Sequence, residues 1–284
     1  MKLPNPIQTH RVQGTLKPYP GIKNIIAVGS GKGGVGKSTV AVNLALALHA
    51  EGATVGLLDA DIYGPSQAQL LGSYEPPEFT EKKLNPVRRF GLQTMSIAYL
   101  IDQDKAMIWR GPMVSKALQQ LLSDTDWQDL DYLIVDLPPG TGDIQLTLAQ
   151  KIPVAGAVVV TTPQDLSLID AKRAIAMFEK VSIPVLGIVE NMSLHTCSQC
   201  GHQEAIFGEN GGISIAEAHN IELLGQLPLN AHIRALSDAG TPIVADTPNA
   251  ETSKIFREIA LKLAIALSKR PKSYASKMPG VVVE

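Results

Sequence analysis

The chain has 284 residues, 45% apolar and 5% aromatic, with 27 acidic residues against 25 basic ones. That length and apolar content support one sizeable α/β core, and the balanced charge gives no overall basic footprint for nucleic acid, though a local patch stays possible. No apolar run reaches membrane-spanning length, and the opening "MKLPNPIQTHRVQG" lacks the apolar region of a signal peptide, so a soluble cytoplasmic protein is expected.

Residues 1–20 carry four prolines and little periodicity, and read as a flexible leader. "NIIAVG" (24–29) has the β-branched bias of a buried parallel strand. A glycine-rich loop follows, then the helix "STVAVNLALALHAEG" (38–52), closed by Gly52, and the strand "TVGLLDAD" (54–61). Residues 72–90 read as irregular, and "MVSKALQQLLSD" (113–124) has helical spacing. "DYLIVDLPPG" (131–140) is a strand running into a loop. "AGAVVVTTP" (155–163) and "IPVLGIVENM" (183–192) are strands around the helix "LSLIDAKRAIAMFEKV" (166–181). "IELLGQLPL" (221–229) closes the core, and an amphipathic helix spans 251–270 with basic residues at its C-terminal end. Strands alternating with helices predict a single doubly wound, mostly parallel sheet flanked by helices over 21–270, with a tail at 271–284.

"GKGGVGKS" (31–38) fits G-x-x-x-x-G-K-[ST], after a strand and at the start of a helix, as a phosphate loop requires. Gly31, Gly33, Gly34 and Gly36, with Val35 among them, let the backbone curl so that its N–H groups face a polyphosphate at a helix N-terminus. Lys37 reaches the β- and γ-phosphates. The Ser38 hydroxyl is placed to ligate Mg²⁺, and Thr39 to contact the α-phosphate. The alternative is a plain glycine turn. Downstream, Asp59 ends the second strand and Asp61 lies just beyond it, where carboxylates can orient water or a magnesium shell. Asp136, at the end of the apolar run "LIVD", reads as a Walker B aspartate holding Mg²⁺ through a water.

The loop has a second lysine, Lys32. With it the sequence resembles the deviant Walker A class of the MinD/ParA superfamily of P-loop NTPases. In that class the early lysine crosses a homodimer interface to the other subunit's nucleotide. The resemblance makes Asp61 the switch I residue that positions the attacking water, and "PPGTG" after Asp136 switch II. It also implies that Asn191 of "ENMS" and Pro228 of "LPLN" frame the adenine.

The order of "GKGGVGKST", "VGLLDADIYGPS", "WRGPMVSKALQQLL", "YLIVDLPPGTGD", "VENMS", a Cys-x-x-Cys-Gly, "FGENGG" and "LGQLPL" is similar to the Mrp/ApbC (Nbp-type) iron–sulfur cluster carrier ATPases, from about Gly21 to about Lys269. The resemblance implies ATP hydrolysis, and handling of a 4Fe–4S cluster that an iron–sulfur donor supplies and apo-proteins receive. The chain's two cysteines are Cys197 and Cys200. By themselves they read as redox-active, as half a zinc knuckle with His195 and His202 nearby, or as half an iron–sulfur ligand set. A homodimer, as Lys32 implies, would bring two such pairs together, the four thiolates that a 4Fe–4S cluster takes. Rival readings are a positioning ATPase of the MinD/ParA kind and a zinc-stapled regulatory ATPase. Neither nucleic acid nor membrane is an expected partner. The sequence assigns no role to the segment from Trp109 to Met113.

Overall fold

The computed structural model describes residues 2–14, 16–80, 83–101 and 111–273, with backbone alone at 111 and 112. β1 (Ile22–Gly29) leads through the glycine-rich loop into α1 (Lys37–Ala50), and β2 (Val55–Asp59) precedes the short α2 (Gln67–Leu71). A small hairpin, β3 (Phe79–Thr80) and β4 (Lys83–Leu84), comes before β5 (Val87–Arg89) and β6 (Leu92–Ser96). Then follow α3 (Gly111–Asp124), β7 (Leu130–Asp136), α4 (Asp143–Lys151), β8 (Gly156–Thr161), α5 (Asp165–Lys180) and β9 (Val185–Glu190). A second hairpin, β10 (His195–Thr196) and β11 (Gln203–Glu204), leads to α6 (Gly211–His219), β12 (Leu223–Gln226), α7 (Ala231–Asp238), α8 (Ile243–Asp246) and α9 (Glu251–Ser268).

Eight strands form the main sheet in the order β12-β9-β8-β1-β7-β2-β6-β5. All neighbours are parallel except the edge pair β5–β6. The central strands are buried on both faces, which explains their continuous Val/Ile/Leu runs. One face packs on α3, α4 and α5 through residues such as Leu118, Leu148 and Ile175. The other packs on α1, α8 and α9 through Leu44, Val244 and Leu263. Sandwiched between sheet and α9, α1 is buried without interruption from Val40 to Leu48, so it shows no polar stripe.

Two expectations need correction. The leader is not loose. His10 and Gln13 are buried, and Gln13 bonds the Ala149 and Ile152 carbonyls and the Val154 N–H. Arg11 N–H donates to the Pro271 carbonyl and Ser273 N–H to that of Thr9, so both ends of the described chain are tied together. The stretch 72–90 is also more ordered than its prolines suggest, holding β3, β4 and β5. Beyond it, β6 passed unpredicted because its polar residues Gln93 and Thr94 break the apolar run. Both are buried and satisfied, Gln93 by the Gln128 backbone and Thr94 by the Val87 carbonyl. Trp109, Arg110 and most of the tail lie outside the described residues.

Candidate functional site

The phosphate loop joins the C-terminal end of β1 to α1, at the sheet edge where β1, β7 and β2 also end. This is where doubly wound sheets bind ligands. Two glycines are required by the geometry. Gly36 has φ +80°, and a Cβ there would lie 2.3 Å from Asn191 Nδ2. At Gly31 a Cβ would lie 2.0 Å from the Asp170 carbonyl, so the loop packs directly on α5.

A cavity of about 560 Å³ opens above the loop. Lys32, Gly33, Gly34, Gly36, Lys37, Ser38 and Thr39 line its phosphate-loop end, together with Asp61. Asn191, Pro228 and the α7 residues Ile233 and Arg234 line its far end. The structure thus brings most of the sequence-derived candidates to one cavity. Val35 takes part through its backbone, its carbonyl accepting from Asn191 Nδ2 at 2.9 Å. Asn191 is buried against the loop by that bond.

Asp136 lies beneath the cavity, wholly buried, and Lys37 pairs with its Oδ1. Lys37 Nζ also lies 3.3 Å from Ser38 Oγ. The oxygens expected to serve magnesium therefore already gather around a cation, and they form the hard-oxygen set that Mg²⁺ prefers. Asp59 is equally buried and accepts from the Asp61 and Gln67 N–H groups and the Ser96 hydroxyl. Burial, reinforced by the Asp136 carboxylate, raises its pKa to about 7 against the two backbone N–H bonds and Lys37. Asp61 is partly exposed, and burial raises its pKa too. Of the two, Asp61 faces the cavity and Asp59 braces the turn. Sequence reading missed Gln67, which bonds Asp136 and the Ser38 carbonyl. No motif flags it.

Cys197 and Cys200 sit on the tip between β10 and β11, half-exposed and exposed. The segment is an ordered knuckle. Gly201 N–H donates to the Cys197 carbonyl and Cys197 N–H to that of His202, each at 2.9 Å. The N–H groups of Cys200 and Gln199, with the Cys200 thiol, hold Cys197 below the usual thiol pKa, which favours a ligating thiolate. His195 Nδ1 lies 3.2 Å from the Leu229 carbonyl. Among the described residues no three of His, Cys, Asp and Glu gather as a metal set, so the knuckle offers two thiols per chain.

A family model described as ParA, NUBPL iron-transfer P-loop NTPase, matches residues 21–264. The chain is 61% identical to the iron-sulfur cluster carrier protein of Salmonella typhimurium over 249 residues, 87% of this chain and 68% of that protein. It is 45% identical to the mouse iron-sulfur cluster transfer protein NUBPL, covering 90% of this chain and 81% of the relative. Among solved structures, an ADP-bound nucleotide-binding protein from Archaeoglobus fulgidus matches with a TM-score of 0.71 at 37% identity, over 83% of this chain and 93% of that one. The cell division ATPase MinD of Pyrococcus furiosus matches with a TM-score of 0.65 over 84% and 98% of the two chains, and at 21% identity that likeness speaks for the fold alone.

Proposed function

The chain belongs to the ParA family of NUBPL-type iron-transfer P-loop NTPases, and from that membership we propose how its residues carry an iron–sulfur cluster under control of ATP. It is an ATPase of the iron–sulfur carrier kind, with ATP as substrate and the cluster as cargo. The observation that carries the site reading is the cavity that gathers the phosphate loop, Asp61, Asn191 and Pro228 in one place.

In this reading the loop N–H groups and Lys37 bind the β- and γ-phosphates, compensating charge as phosphoryl transfer requires. Ser38 and Asp136 would hold Mg²⁺, which would supply neutralisation of the phosphate charge. Asp61 orients the attacking water. Asn191 and Pro228 frame the adenine. Residues 21–270 are the working unit.

Cys197 and Cys200 hold the cluster together with the same pair from a second copy, and Lys32 reaches the second copy's nucleotide. Leu166 and Ile169 on α5 and Leu194 and Ile206 beside the knuckle are exposed apolar side chains, which supports a pairing face on these elements. The cluster then passes to apo-proteins. No helix among the described residues is long and apolar enough to cross a membrane, and we assign the chain to the cytoplasm.

Transfer is the test. Anaerobically loaded protein is mixed with an apo-protein that needs a 4Fe–4S cluster, and recovery of the acceptor is followed. Recovery that outpaces free iron and sulfide supports the carrier reading. Zinc alone in the anaerobically isolated protein, with no transfer, would overturn it.

A further inference from the structure

Asp136 is wholly buried, and its carboxylate has two side-chain donors among the described residues. One is Lys37, on Oδ1. The other is Gln67, whose Nε2 donates to Oδ2 at 2.8 Å. The same Nε2 donates to the Ser38 carbonyl at 3.1 Å, and the Gln67 backbone N–H holds Asp59 Oδ2 at 3.0 Å. One residue, 1% exposed, thus ties the phosphate loop, the end of β7 and the end of β2 together.

The amide orientation follows from chemistry. Both groups that it faces are acceptors, so the nitrogen must point at them. The cost shows on the other atom: Gln67 Oε1 is buried and has no hydrogen-bond partner. An apolar side chain at this place would avoid that cost and would leave Asp136 Oδ2 without its donor.

Lys37 has a second duty. If it extends to the phosphates, as the phosphate-loop reading requires, Gln67 is the donor that stays on Asp136. We propose that Gln67 is a positioning residue for magnesium-nucleotide binding, holding Asp136 and the Ser38 turn in fixed relation while Lys37 serves the phosphates. The proposal rests on the reading that Ser38 and Asp136 serve magnesium. Gln67 touches neither phosphate nor metal in this scheme. Groups that orient metal ligands typically matter about 10- to 100-fold in metal affinity.

The experiment measures binding of a fluorescent ADP to the full chain, once in EDTA and once in excess Mg²⁺. The ratio of the two affinities is the magnesium gain. Gln67→Met keeps the side-chain length and removes both donors. It is expected to cut the magnesium gain about 10-fold and to leave affinity in EDTA within about twofold. Gln67→Asn, one methylene shorter, withdraws the amide from Asp136 and provides the same reading should Gln67→Met fail to fold. A purely structural role would lower the melting temperature and leave the gain alone. A wild-type gain matched by a folded Gln67 variant overturns the proposal. Absence of any magnesium gain in wild type overturns the underlying reading of Ser38 and Asp136, and the proposal with it.

Discussion

Lys37 and Asp136 form an ion pair buried to 6% and 0% side-chain exposure, joining the phosphate loop to the end of β7. Breaking a buried pair by removing one partner leaves an uncompensated charge. Lys37→Met is therefore expected to lower stability by about 3 kcal/mol and to abolish ATP turnover. Adding Asp136→Asn should restore part of the stability and none of the turnover. Urea denaturation of the two variants checks the first expectation. Turnover by Lys37→Met equal to wild type, after contaminant controls, would contradict the second.

Asp59 makes a pH dependence. Its folded pKa, about 7, stands above the ordinary carboxylate value of 3.8, so the folded chain binds the extra proton between these limits. Its contribution to stability is full below the lower value and is lost as pH rises through the upper one. Nucleotide-free protein should thus show a stability component that declines from mildly acidic pH towards neutrality. Asp59→Asn should flatten that component. Melting curves across the window test it, and an unchanged slope in the variant would count against the assignment.

Lys32 lines the phosphate-loop end of the cavity and makes no ion pair among those of the described residues. Lys32→Ala should leave the fold and its melting temperature intact. It should weaken the ATP-bound pair of chains, seen by sedimentation with and without nucleotide. Equal dimer populations in variant and wild type would return Lys32 to the role of a solvated loop residue.

What the sequence made legible follows physical rules. Strands buried on both faces announce themselves as unbroken apolar runs, and β1, β7 and β8 did so. The phosphate loop was legible because the backbone path demands glycine at Gly31 and Gly36, where a Cβ meets Asp170 or Asn191. Partners distant in sequence were not legible. Gln13 reads as a polar leader residue until Ala149, Ile152 and Val154 come beside it. Gln67 is likewise one residue of a turn until β7 places Asp136 against it, 69 positions away. The order of the cysteine knuckle comes from backbone bonds such as Gly201 to Cys197, which no spacing rule reports.

We propose that Cys197 and Cys200 are half of a site shared by two chains. Anaerobic reconstitution followed by native mass spectrometry, with an iron and sulfide count, tests it most directly. The expected result is one 4Fe–4S cluster on a dimer, lost or made labile by Cys197→Ser or Cys200→Ser, with the fold and nucleotide binding retained. A full cluster on a single chain, or equal loading of Cys197→Ser, would contradict the claim.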